Sequence, residues 1–250
     1  MSSFDITHPS PRIALVTGSA RRLGASIAEY LHQAGFRVAI HYHCSRDEAN
    51  RLSQTLNQRR KESAAVFSAD LTAIKANQTL IDNVIEWAGQ IDLLVNNAAL
   101  FAPSSLETGE NSLWNKMFTL NVQSPFWLSI AARASLDAQR GSIINITDIH
   151  AEHPLKGYSE YCQTKAALLM QTKALAREFA PNIRVNAIAP GAIAWPEHQN
   201  ALSAAQQQHI IDKTLLKRHG EPLFIAQAVL ALANNPFITG QMLRVDGGRF

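Results

Sequence analysis

The 250-residue sequence predicts an α/β fold, a doubly wound parallel sheet of about seven strands flanked by helices. Three observations carry that expectation. Short β-branched runs alternate with longer segments of helical period, the order of a parallel sheet built through helical crossovers. The strand runs are almost continuously apolar, as strands buried on both faces must be. The turn after the first run, "TGSARRLG", has glycines at 18 and 24 and leads directly into a helical segment.

In chain order, "RIALVT" (12–17) is the first strand and 22–34 the first helix. "RVAIHY" (37–42) and a helix over 46–60 come next, then "AAVFSA" (64–69) and a helix over 74–88. The fourth strand is "DLLVNN" (92–97), and one long helix is expected over 111–137. "SIINIT" (142–147), a helix over 158–180 and "RVNAIA" (184–189) continue the alternation. It closes with a helix over 222–234 and "MLRV" (242–245). The expected organisation is one domain over 12–250 behind a loose lead-in at 1–11. Only the polar, Gln-rich excursion around 192–218 breaks the rhythm. It reads equally as a lid over a site or as a solvated helix pair.

Composition narrows the function classes. A formal charge of +3 with scattered basic residues lacks the stripe of a nucleic-acid binder, so no such partner is expected. No run reaches the roughly 18 apolar residues of a membrane span. Two cysteines form no disulfide framework, and the start "MSSFDITHPSP" has no apolar core behind a basic tip. A cytoplasmic protein is the expectation. His41 and His43 share a strand face, and His150 and His153 lie close in sequence. Neither pair has a third ligand nearby, so no metal is predicted.

Gly18 and Gly24 permit a tight turn, and the helix start behind them offers unpaired N–H groups to a phosphate. Arg22 stands where a further glycine is common. A guanidinium there either forks onto a pyrophosphate or, like Arg21, faces solvent at a helix start. After the second strand, His43, Cys44 and Ser45 include no acid to hold ribose hydroxyls, and Arg46 follows. Neutral and basic donors favour a 2′-phosphate, hence NADPH. Tyr161 and Lys165, four apart, share a helix face. A tyrosine has a reference pKa near 10, and a nearby ammonium lowers it toward acid/base work. Asp148 closes the fifth strand, as a turn-capping acid or as part of the catalytic group.

"TGSARRLG", "NNAA" (96–99), Asn121, Tyr161 with Lys165, "RVNAIAPG" (184–191) and "VDGG" (245–248) resemble the short-chain dehydrogenase/reductases, a family of Rossmann-type fold. The likeness runs from about Arg12 to Gly248. Within the family the "RRLG" turn, "HYHCS", Phe101 and the Asp148, Tyr161, Lys165 spacing are most similar to pteridine reductases. Most members carry a serine near Asp148.

The resemblance implies NADPH-dependent reduction of a pterin, with folate a further substrate. Tyr161 and Asp148 would supply the proton. Lys165 would hold the nicotinamide ribose and Asn121 a proton-relay water. Phe101 would stack on the substrate, unless it only packs under the loop, and Arg22 would touch both ligands. The likeness also assigns Leu23, Asp70, Leu71, Asn97, Ala98, Thr147, Pro190 and Gly191 to the cofactor site. It implies a homotetramer built through the long helices. Ala99 and Cys44 depart from the pteridine-reductase pattern, which has serine and arginine there. Dihydromonapterin reductase and carbonyl or 3-oxoacyl reductase are alternatives, as is a non-catalytic NADP(H)-binding sensor.

Overall fold

The computed structural model describes residues 11–104, 111–195 and 201–249. The strands are β1 (Ile13–Val16), β2 (Arg37–Tyr42), β3 (Ala64–Ser68), β4 (Leu93–Asn96), β5 (Ser142–Ile146), β6 (Arg184–Pro190) and β7 (Met242–Val245). The helices are α1 (Arg22–Gln33), α2 (Arg46–Arg59), α3 (Ile74–Ala88), α4 (Asn111–Phe118), α5 (Ser124–Ala138), α6 (Ser159–Glu178), α7 (Ala204–Asp212) and α8 (Pro222–Asn234). The strands form one parallel sheet of order β3-β2-β1-β4-β5-β6-β7.

Periodicity explains this layering. In β1, Ala14 and Val16 pack into one hydrophobic cluster with α1, α2 and α8, while Ile13 and Leu15 pack into the other with α3, α5 and α6. Both faces of the strand are therefore lost to water, and each large aliphatic side chain so buried contributes roughly 1.5–3 kcal/mol. At the edge the pattern relaxes. β7 leaves Leu243 and Arg244 exposed, because it has a neighbour on one side only. Among the described residues no helix is long and apolar enough to cross a membrane.

The expected helix over 111–137 differs from the structure. It is split by a π turn at Thr119–Gln123 between α4 and α5. Pro125 supplies a reason: it has no N–H to donate, and its ring crowds the carbonyl four residues back. In the excursion, Ser203 caps α7 with a reciprocal capping box, its side chain accepting from Gln206 N. Residues 196–200 of the predicted excursion and 1–10 of the predicted lead-in lie outside the described residues.

Strand order reverses between β1 and β4. In open α/β sheets the carboxyl ends of the strands at such a point border the ligand crevice. The turn after β1 and the loop after β4 meet there, and the carboxyl end of β5 lies beside them.

Candidate active site

The turn after β1 is built by interlocking backbone contacts. Gly18 has φ near +63°, and its N–H donates to His41 Nδ1 at 2.9 Å. His41 Nε2 in turn contacts the Ala69 carbonyl at 3.1 Å. Burial holds His41 neutral, pushing its pKa down to about 4, and with both ring nitrogens engaged it braces the turn. Among the described residues no cluster could hold a metal ion. Asn97 Nδ2 donates to the Thr17 and Gly18 carbonyls at 2.9 and 3.1 Å, and Ala98 N to Thr17 Oγ1 at 3.0 Å. Both residues therefore lock the turn from β4. Gly24 sits so close beneath it that a Cβ would stand 2.4 Å from the Gly18 carbonyl oxygen.

No side chain caps α1, and its first turn holds no acid. The helix start thus keeps the character of an anion site. Arg22 begins it with φ near +55°, a strained conformation for a residue with a β-carbon. Its Nη2 donates to the Trp195 carbonyl at 2.7 Å, so the guanidinium predicted to meet ligands also ties the excursion's start to the turn. Leu23 packs against the core beside it.

After β2, His43 and Cys44 are exposed, and Ser45 precedes α2. His43 Nε2 lies 3.9 Å from Asp70. Two hydrogen bonds from Thr72 hold the Asp70 carboxyl below its ordinary pKa. Arg46 donates to the Tyr42 hydroxyl at 3.3 Å and is otherwise solvent-facing. Leu71 is a core residue. Thr147 turns its hydroxyl to the Ile188 carbonyl at 2.8 Å. Pro190 ends β6, and Gly191 is pressed against Asp246, 2.6 Å from where its Cβ would be.

Asp148 caps a turn and also reaches Tyr161. Its Oδ1 accepts from His150 N at 2.9 Å, capping the short 3₁₀ turn at Ile149–Ala151. That cap orients the carboxyl, and Oδ2 then accepts from the Tyr161 hydroxyl at 2.8 Å. Tyr161 is buried, and its ring meets Phe101 edge-on at 4.8 Å. Phe101 stacks on Tyr158 at 4.5 Å, their planes 8° apart.

One expectation is corrected. The tyrosine's pKa is raised in the folded chain and not lowered. Lys165 Nζ donates to the Ile146 carbonyl at 2.9 Å and lies 5.7 Å from the Tyr161 ring centroid. Burial, and then the Asp148 charge, push the phenol well above its usual value. Tyr161 is accordingly held protonated at neutral pH. Lys165 is itself lowered to about 8 by burial, partly opposed by Asp148.

That value has a measurable consequence. Above pH 8 the ammonium discharges, so the free enzyme's kcat/KM should fall as pH rises through about 8. Stability moves oppositely. The folded chain binds fewer protons here than the unfolded one between about 8 and the ordinary 10.5. This group's contribution therefore improves as pH rises across that window. A flat kcat/KM profile from pH 7 to 9.5 would contradict the assignment.

Asn121, in the π turn, is fully buried. Its Oδ1 accepts from Leu100 N at 2.8 Å, and Nδ2 donates to Leu100 O at 2.9 Å and Thr164 Oγ1 at 3.0 Å. Thr164 Oγ1 donates to the Tyr161 carbonyl at 2.7 Å. The sequence reading passed over Thr164, although its place three residues after Tyr161 was a usable signal. It also gave Tyr158 and Trp195 no role. Cys162 is buried beside Tyr161 and its sulfur accepts from Leu155 N at 3.3 Å.

A protein family described as Enoyl-(Acyl carrier protein) reductase matches residues 18–249. The chain belongs to the short-chain dehydrogenase/reductase family. It is 34% identical to pteridine reductase 1 of Leishmania tarentolae, with 97% of each chain covered. It is also 34% identical to a 3-oxoacyl-(acyl-carrier-protein) reductase of Staphylococcus epidermidis, covering 95% of this chain and 98% of that one. Among solved structures it resembles a blue fluorescent protein from a metagenomic library, in complex with NADPH. That match has a TM-score of 0.88 and 31% identity, over 95% and 97% of the two chains.

Proposed function

We propose that this short-chain reductase uses NADPH to reduce a pterin, a dihydropterin above all, with oxidised pterin or folate as further substrates. The observation that carries the reading is the 2.8 Å hydrogen bond from the Tyr161 hydroxyl to Asp148, beside the Phe101 and Tyr158 rings. Reducing a ring C=N unit requires a proton on nitrogen. A phenol held protonated by burial and aligned by a carboxylate is such a source. Flat aromatic side chains suit a flat heteroaromatic ring, each such contact adding about 0.5–1.5 kcal/mol beyond burial.

The residues fit the cofactor. The uncapped start of α1 and the Gly18 turn suit its pyrophosphate. His43, Cys44, Ser45 and Arg46 set no acid against a 2′-phosphate. Lys165 is assigned to the nicotinamide ribose, and Asn97, Ala98, Thr147, Pro190 and Gly191 to the cofactor site. When bound, NADPH supplies hydride. The chain's own share is to orient the substrate, exclude water and deliver a proton from Tyr161 Oη. Exposed Trp127 and Ile130 on α5 and Met170 on α6 support assembly through these helices, as the proposed homotetramer requires.

A 3-oxoacyl reductase is the second reading, favoured by the equally similar Staphylococcus relative. Following NADPH oxidation with dihydropterin, oxidised pterin, folate and a 3-oxoacyl thioester separates the two. The pterin reading expects the highest kcat/KM with dihydropterin, and turnover of the thioester alone would remove it. Asp148→Asn keeps a capping side chain and should lower pterin kcat roughly a hundredfold. Full pterin turnover by that variant at every pH would deny the carboxyl its role.

A further inference from the structure

We propose that Gln171 of α6 is a positioning residue: it sets the π turn and thereby places Asn121 and the loop that carries Phe101. The inference rests on the reading above that Tyr161 and Phe101 form the active site. It concerns a side chain on α6 ten residues beyond Tyr161.

The argument starts with the backbone of the crossover between β4 and β5. Ser124 N donates to Thr119 O, five residues back, so the helix is widened by one residue there. Pro125 follows immediately. Proline cannot donate, and its ring needs room from the Asn121 carbonyl, which the wider turn provides. Such an insertion leaves peptide groups on either side poorly aligned for ordinary helical bonds, and a side chain commonly enters to satisfy them.

Gln171 does this from the neighbouring helix. With its amide turned so that both atoms meet complementary partners, Gln171 donates to Val122 O at 3.1 Å and accepts from Phe126 N at 3.1 Å. Val122 and Phe126 lie four apart and straddle Pro125. In an unbroken α-helix these two groups would bond to each other. One carboxamide therefore bridges both sides of the widened turn. A carboxamide offers a donor and an acceptor side by side on one carbon. Leucine offers neither, methionine only a weak acceptor, and an ionised glutamate no donor.

The bridge matters because Asn121 sits inside the turn. Its three hydrogen bonds hold Leu100 by both backbone groups and reach Thr164, which in turn holds the Tyr161 carbonyl. Leu100 directly precedes Phe101, whose ring meets Tyr161 and Tyr158. A shift of the π turn at Gln171 would thus reach the aromatic wall and the proton donor through Asn121, across three separate elements.

The test uses Gln171→Leu and, should that variant not fold, Gln171→Met, which keeps an unbranched chain of similar length. Amide hydrogen exchange is followed by mass spectrometry in peptides covering 97–102 and 119–126, with steady-state kinetics in parallel. Exchange should speed up about tenfold or more in both peptides, including 97–102, which holds neither of the groups Gln171 bonds. In kinetics, kcat should fall roughly ten- to a hundredfold while KM for NADPH stays within about twofold. Faster exchange confined to 119–126 with kcat unchanged would overturn the proposal and leave Gln171 as a local helix brace. The exchange readout needs no substrate, so it decides this point even if the chain turns over no pterin. Failure with every pterin but normal coupling between the two peptides would count against the functional reading alone.

Discussion

Tyr161→Phe should lower kcat by about three orders of magnitude while leaving NADPH affinity within a fewfold of wild type. The substitution removes one oxygen. The ring that meets Phe101 at 4.8 Å remains, so the packing of the pocket wall is kept. What disappears is the hydroxyl that donates to Asp148 Oδ2. Asp148 keeps its second role, since Oδ1 still caps the turn at His150. The folded structure should therefore survive, with Tm changed by a few degrees at most. Calorimetry and rapid-mixing hydride-transfer measurements on the same preparation separate the two effects. Turnover above a tenth of wild type would mean that the proton comes from elsewhere, and the assignment of Tyr161 would fail.

Gly24→Ala should weaken NADPH binding by about tenfold or more and also destabilise the fold. A β-carbon at this position would stand 2.4 Å from the Gly18 carbonyl oxygen, 2.7 Å from Asn97 Nδ2 and 2.8 Å from Ser19 Cα. Two of the three are backbone atoms and cannot swing aside. The start of α1 must then move off the turn after β1, taking with it the N–H groups proposed to meet the pyrophosphate. Overpacking of this kind costs roughly 1–3 kcal/mol. For a chain of this length that is a Tm loss of several degrees. Titrating NADPH fluorescence against the variant, below its melting transition, is the direct check. Unchanged affinity would show that the close approach of Gly24 to Gly18 matters for packing only.

These two residues illustrate different degrees of legibility in the sequence. Gly24 was readable because its reason is local: a strand, a turn and a helix start lie within a dozen residues. The Tyr161 and Lys165 pair was equally readable as one helix face. Their electrostatics were not. Spacing alone suggests an ammonium acting on a phenol. In the folded chain Lys165 donates a hydrogen bond to the Ile146 carbonyl, and Asp148 reaches the phenol from just beyond the same strand, β5. The sign of the Tyr161 shift follows from burial and from that carboxylate. Neither is visible along a single helix. The split of the predicted 111–137 helix is similar. Pro125 marks the place, but the partner that bridges the widened turn comes from α6.

The sequence by itself determined the order of strands and helices, the parallel sheet and the turn able to cradle a phosphate. Those follow from hydrophobic period and from backbone rules that act over a few residues. Only the tertiary structure decided that Asp148 both caps its turn and meets Tyr161, that Lys165 donates to the Ile146 carbonyl, and that Arg22 ties down the excursion at Trp195. The physical reason is that charge, desolvation and hydrogen-bond partners depend on which elements are packed together. Chain-distant groups a few ångströms apart set them, and no local pattern encodes that distance.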